Sequence, residues 1–223
     1  MRREVVIEVG AAEGNPQAAA ALALAGEVAR RLGPGVTVAH DASGPADSVQ
    51  VRVDGRDLEV DAGDGSPPPT WLLEAAVCRA QDRRGYLFLC VANSARSQLA
   101  EGIARALAPA HVAVMSAGSQ PTRVRPEALA VLAEIGIDGG GQRSKNVAEI
   151  DPQTVDTVIT LCGEEECPVF LGAAARLHWG LPDPAGAGGD EAARLDAFRS
   201  VRDELQRRLA VVFGGATAAA GST

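Results

Sequence analysis

Two residue types at short spacing define the chemistry open to this chain. Cys90 and Arg96 bracket the run Cys90-Val91-Ala92-Asn93-Ser94-Ala95-Arg96-Ser97. A loop of successive backbone N–H groups that runs into a helix forms a concave donor cup, and the helix N-terminus adds partial positive charge. Arg96 supplies a planar fork that can grip two oxygens of a tetrahedral oxyanion. The same field favours a thiolate at Cys90, and a thiolate is the nucleophile. So placed, it faces the central atom of the bound anion, and attack on phosphorus or arsenic is the chemistry invited. The spacing alone says little in a chain with four cysteines and twenty arginines. Its weight comes from context. Tyr86 to Leu89 is a short apolar run suited to a buried strand. Asn93, Ser94 and Ser97 offer loop hydrogen bonds, and Leu99, Ile103 and Leu107 recur at helical spacing.

Two further groups could act with this loop. Asp183 lies between Pro182 and Pro184 in His178-Trp179-Gly180-Leu181-Pro182-Asp183-Pro184. The following proline restricts it to extended backbone, and a rigidly presented carboxyl can protonate a leaving oxygen. Taken alone, the same Pro-Asp-Pro is simply a turn. Cys162 and Cys167 enclose Gly163 and three glutamates. A flexible loop brings such a pair within disulfide reach, about 6 Å between Cα atoms. A covalent Cys90 adduct could then be attacked by Cys162, and Cys167 could move the disulfide outward. The plainer alternative is a buried strand-end thiol and a surface thiol. His40, His111 and His178 show no ligand spacing, so no metal is expected.

The elements that must hold these groups alternate from residue 85 onward. Strands are expected at Tyr86–Leu89, Val112–Met115, Val155–Leu161 and Arg176–Trp179. Helices are expected after Ser97, over Pro126–Ile135 and over Glu191–Val211. Alternation implies an α/β domain with a parallel sheet flanked by helices, with ligands at the C-terminal strand ends. Cys90, Cys162 and the Asp183 segment all follow such ends. Upstream the order is strand Glu4–Val9, helix Gln17–Leu32 and strand Val36–Ala39. A hairpin of Ser48–Val53 and Leu58–Val60 comes next. Thr70 then caps a helix over Trp71–Arg79. The charged connector Ala80–Gly85 separates domains at 1–82 and 85–212, and 213–223 reads as a loose tail.

Composition sets the remaining limits. The net charge of −8 is shared by both parts, so no basic surface for nucleic acid is expected. No apolar stretch approaches bilayer length, and Met-Arg-Arg-Glu followed by a strand does not read as a signal peptide. A cytoplasmic, reducing compartment is the expectation.

The stretch Cys90 to Gly102, with Ser116-Ala117-Gly118, Val158-Ile159-Thr160-Leu161-Cys162 and His178 to Ala185, resembles the arsenate reductases of the low-molecular-weight tyrosine phosphatase superfamily. The resemblance covers residues 85 to about 210 and implies a four-stranded parallel sheet flanked by helices. It implies Cys90 as nucleophile and Val91, Ala92, Asn93, Ser94, Ala95, Arg96 and Ser97 as the oxyanion loop. It implies Asp183 as general acid and Cys162 and Cys167 as resolving thiols. It implies arsenate as substrate, or phosphate or sulfate as the related oxyanion, with no bound cofactor and with thioredoxin as the external reductant. Position 95 is alanine where some relatives carry a second loop cysteine. In potassium-binding relatives Asn93, Glu101 and Ser116 would be joined by an aspartate at position 145, where this chain has Lys145, its only lysine. An ammonium beside Glu101 could replace the cation.

Residues 3–80 are similar to a small thioredoxin-like domain by element order and by Val51-Arg52-Val53-Asp54-Gly55-Arg56-Asp57. After the first strand, where that family has its redox cysteines, this chain reads Ala11-Ala12-Glu13-Gly14-Asn15-Pro16, so the domain would lack redox chemistry. Docking a reductant, covering the crevice and forming a homodimer are the roles open to it. Arsenate reduction for detoxification is the leading expectation. Phosphomonoester hydrolysis and non-enzymatic oxyanion binding are the alternatives.

Overall fold

The computed structural model describes residues 3–46, 48–58, 68–163 and 168–214. Cys167, Glu164–Glu166, part of the second hairpin arm and the tail beyond Gly214 lie outside them. The chain divides into two compact units, Met1–Asp82 and Arg83–Thr223.

In the first unit, β1 (Val5–Gly10), α1 (Pro16–Leu32) and β2 (Val36–Asp41) form a parallel crossover. Helix α1 starts where Asn15 accepts from the Gln17 N–H at 2.8 Å with Pro16 in the first turn, and it stops at Gly33 with φ 84°. The strands β3 (Gln50–Val53) and β4 (Arg56–Asp57) pair antiparallel around Asp54 and Gly55, both at positive φ. The sheet order is β2-β1-β3-β4, with β3 antiparallel to β1. The return arm thus begins at Arg56, two residues earlier than the apolar pattern at Leu58–Val60 suggests, because the Asp54-Gly55 turn sets the register. Helix α2 spans Thr70–Ala80 with Pro69 at the cap position and no side-chain cap bond. Thr70 is its first helical residue, not its cap.

The second unit contains β5 (Gly85–Cys90), α3 (Arg96–Leu107), β6 (Ala113–Gly118), α4 (Pro126–Ala133), β7 (Thr157–Thr160), β8 (Ala175–His178) and α5 (Glu191–Phe213). All its strands run parallel in the order β6-β5-β7-β8. Strand β5 is central and buried throughout, which explains its unbroken apolar run. The chain leaves β5 to one side for β6 and returns on the other side for β7. The crevice at this reversal of strand order opens at the C-terminal end of β5, where Cys90 stands.

Alternation along β5 assigns two faces. Tyr86, Phe88 and Cys90 face α3 and α5, and the Tyr86 ring meets Phe213 edge-on at 5.1 Å. Leu87 and Leu89 pack with Ala117, Val155, Val158, Phe170 and Ala174, joined by Met115, Val147 and Ile150. Among the described residues, that second face is covered by short 3-10 turns at Val147–Glu149 and Pro152–Thr154 and by loop rather than by a long helix. Strand β7 is shorter than its apolar pattern, but the Leu161 N–H still donates to Leu89 O at 2.8 Å. That bond extends the pairing to the strand end beside Cys90.

Candidate active site

The loop from Cys90 to Arg96 holds its shape through bonds on its outer side. The carbonyls of Val91, Ala92 and Ser94 accept from the N–H groups of Gln120, Thr122 and Arg125 at 3.0, 3.0 and 2.9 Å. The Asn93 carbonyl accepts from Ser144 Oγ at 2.7 Å and Gln98 Nε2 at 3.1 Å. In a trans peptide the following N–H points opposite to the carbonyl. Tying the carbonyls outward therefore turns amides inward, toward a cavity of about 370 Å³ lined by Cys90, Val91, Ala92, Ser94, Ala95, Arg96 and Asp183. Helix α3 starts at this cavity with Ala95 at its cap and no side-chain cap bond, although Ala95, Arg96 and Ser97 are all buried. A buried helix start without a cap leaves first-turn donors for a ligand.

Asn93 organises the back of the loop. It is fully buried and has φ 45°, a left-handed conformation that asparagine tolerates better than most residues. Its Nδ2 donates to Ser97 Oγ at 2.9 Å and Ser116 Oγ at 2.8 Å. Its Oδ1 accepts from Gln98 Nε2 at 3.1 Å and the Lys145 N–H at 2.7 Å. Ser97 Oγ also lies 2.9 Å from Cys90 Sγ. Ser97 therefore links the Asn93 amide to the Cys90 sulfur, and either Oγ or Sγ can donate in the second contact. Gly118 closes the neighbouring strand end against the loop. A Cβ there would lie 2.4 Å from Val91 O and 2.8 Å from Asn93 N.

Arg96 is 4% exposed. Its Nη1 donates to Leu181 O at 3.2 Å and Leu161 O at 3.4 Å, and its Nη2 lies 3.6 Å from Asp183 Oδ1. The guanidinium is thus docked on the ends of two segments that follow β7 and β8, with one edge toward the cavity. Asp183 is half-exposed and accepts from the Ala185 N–H at 3.3 Å, heading the 3-10 turn Pro184–Gly186. The carboxyl therefore lines the same cavity as the loop.

Beneath the loop, Glu101 is fully buried. Its Oε2 accepts from Ser116 Oγ and from Lys145 Nζ at 3.0 Å, and Arg105 pairs with its other oxygen. Lys145 Nζ also donates to Arg143 O at 3.1 Å. Asn93, Glu101, Ser116 and Lys145 form one connected network, with the ammonium against the carboxylate.

Cys162 is fully buried just past β7 and is disulfide-bonded, while Cys90 is free. The expected third thiol, Cys167, lies outside the described residues. Cys162 lies two residues past the end of β7, whereas Cys90 is the last residue of β5. Among the described residues no cluster of three or more His, Cys, Asp or Glu side chains could hold a metal ion. None of the described helices is long and apolar enough to cross a membrane. Motif reading does not mark Gln98, Ser144, the segment Gln120–Arg125 or the carbonyls of Leu161 and Leu181 as site groups. Their roles are backbone contacts or bonds across long sequence separations, for which spacing carries no signal.

A strand-end thiol, a loop of inward amides and a docked arginine at the switch point of a parallel sheet define a cysteine-based oxyanion site. Residues 86–218 match the low molecular weight phosphotyrosine protein phosphatase family, and the chain belongs to it. The chain is 40% identical over 124 residues to an arsenate reductase of Halalkalibacterium halodurans, covering 55% of this chain and 89% of that protein. It is 37% identical over 128 residues to the glutaredoxin arsenate reductase of a Synechocystis species, with 91% of that protein covered. A solved structure described as an arsenate reductase in the phosphate binding state superposes with a TM-score of 0.52 at 34% identity, covering 59% of this chain and 97% of that one.

Proposed function

We propose that this chain reduces arsenate to arsenite through a covalent adduct on Cys90. The loop amides and Arg96 hold the oxyanion, the Cys90 thiolate attacks arsenic, and Asp183 protonates the departing oxygen. Cys162 then attacks Cys90 and arsenite leaves. Cys167 takes over the disulfide, and an external thiol protein of the thioredoxin class reduces it. The observation that carries this reading over simple hydrolysis is the state of the cysteines: Cys162 sits one residue past Leu161, whose carbonyl accepts from Arg96, and it is disulfide-bonded while Cys90 is free. A hydrolase needs no such bond. The arsenate reductases among its relatives support the same reading.

The test is arsenate-dependent NADPH consumption in the presence of thioredoxin and its reductase, with Cys162→Ser and Cys167→Ser variants. Cys162→Ser is expected to stop at the Cys90 adduct and release no arsenite, and Cys167→Ser to stop after one turnover. Full multiple turnover in both would overturn the relay. Rates on para-nitrophenyl phosphate that exceed those on arsenate would favour a phosphatase, for which Cys90, Arg96 and Asp183 suffice.

We also propose that residues 1–82 form a thioredoxin-like unit without redox function. The mixed β2-β1-β3-β4 sheet and the thiol-free loop after β1 support this.

A further inference from the structure

We propose that Val169 and Leu171 form the docking surface for the protein that reduces Cys167, an inference that rests on the relay above and makes the reductant a dithiol protein rather than a small thiol. Among the described residues, four large apolar side chains are exposed. Val6 and Val38, in the first unit, stand at 37% and 36%, whereas Val169 and Leu171 reach 73% and 86%. A single exposed apolar side chain is ordinary. Here two share one short segment, two and four positions past a cysteine of the relay.

The segment is built to hold them out. Phe170, between them, is buried and packs in the core cluster with Leu87, Leu89 and Val158. Arg176 on β8 fastens the backbone: its Nη2 donates to Phe170 O at 2.8 Å and to Gly172 O at 3.0 Å. A Cβ at Gly172 would lie 2.6 Å from the Phe170 ring, so the chain passes this close to the ring only because that residue is glycine. With Phe170 anchored inward, its two neighbours are left in water.

Chain connectivity identifies the occupant. A mixed disulfide sets the two bonded residues about 6 Å apart between Cα atoms. An extended chain spans at most about 3.6 Å per residue, so Val169 lies within about 7 Å of Cys167 and Leu171 within about 14 Å. A small redox encounter, about 600 Å² on each side, covers a disc of about 14 Å radius. A protein centred on Cys167 therefore covers both apolar side chains, and a small thiol leaves them in water. Glu164 to Glu166 precede Cys167 and the net charge is −8, which disfavours an anionic lipid surface as the occupant.

In the step itself, a partner thiolate attacks the Cys167 sulfur, a mixed disulfide forms, and Cys162 leaves as a thiolate that takes up a proton. The partner's second thiol loses its proton and attacks the partner's own sulfur. That closes the partner's disulfide and releases the Cys167 thiolate. Both electrons come from the partner dithiol, which is oxidised as the disulfide of this chain is reduced.

The experiment uses the full chain at saturating arsenate and compares turnover driven by thioredoxin with its reductase against turnover driven by dithiothreitol. Val169→Ser with Leu171→Ser is expected to raise the thioredoxin concentration for half-maximal turnover about tenfold or more. Turnover with dithiothreitol and the half-saturating arsenate concentration should not move. Leu171→Met, which keeps the apolar surface, should behave as the parent. An unchanged response to thioredoxin, an equal loss with dithiothreitol, or glutathione that sustains the parent as well as thioredoxin does would each overturn the proposal. So would sedimentation that shows a dimer in the parent and a monomer in the double variant, because a second copy would then be the occupant. If Cys167→Ser keeps full multiple turnover, the relay itself is wrong, and the docking surface falls with it.

Discussion

Replacing Lys145 by methionine removes one of two cations from a carboxylate that has no access to water. Glu101 is 0% exposed, and Lys145 Nζ stands 3.0 Å from its Oε2 with only 12% of the lysine side chain exposed. Breaking a buried pair by removing one partner costs about 3–5 kcal/mol. Here Arg105 remains on the other oxygen and Ser116 still donates to Oε2, so a loss of about 2 kcal/mol is expected, below that range. With a urea slope of about 2 kcal/mol per M, the midpoint falls by about 1 M. Trp71 and Trp179 are the chain's two tryptophans, so a Trp71→Phe background lets Trp179 fluorescence report the second unit. Glu101→Gln added to Lys145→Met should recover part of the loss, because the carboxylate then no longer needs a counter-charge. If the ammonium stands in for a cation, turnover of the unaltered protein is the same in potassium and sodium salts, and potassium partly rescues Lys145→Met. A shift in midpoint too small to resolve, or a clear potassium dependence of the unaltered protein, would refute the reasoning.

Gly118→Ala is expected to lower kcat/KM about a hundredfold, because the new Cβ meets only loop backbone, Val91 O, Asn93 N and Cys90 O, and must displace the anion cup. Gly186→Ala, with nothing within 4 Å, serves as the neutral control. Glu134→Gln is expected to flatten the acid limb of the stability curve. Arg199, and then Arg202, hold the Glu134 carboxyl down at about 2 against an ordinary 4.5. A depressed carboxyl stabilises the fold fully above its unfolded value and loses that contribution as pH falls through its folded one. The loss therefore spans pH 4.5 to about 2 in the parent and is absent in the variant, as acid titration by circular dichroism would show.

Most elements could be read locally. Asn15-Pro16 and Gly33 bound α1, Asp54-Gly55 sets a hairpin turn, and the apolar run before Cys90 forms the central strand. In each case the signal is a residue type acting on its own backbone or on a neighbour within one turn. The weaker readings were at edges. Thr70 is a good capping residue by type, but Pro69 takes the cap position, and the β7 pattern is longer than the strand. There, tertiary pairing and the preceding proline override the local preference.

The sequence by itself determined the candidate reactive set. Cys90, the loop to Ser97, Arg96 and Asp183 follow from residue chemistry and from alternation that places strand ends together. Only the tertiary structure decided how that set is held. The carbonyls of the loop are tied by Gln120, Thr122, Arg125 and Ser144, and Arg96 rests on carbonyls of Leu161 and Leu181. These are bonds to backbone across 29 to 85 residues, and any residue type could supply most of them, so no pattern in the chain announces them.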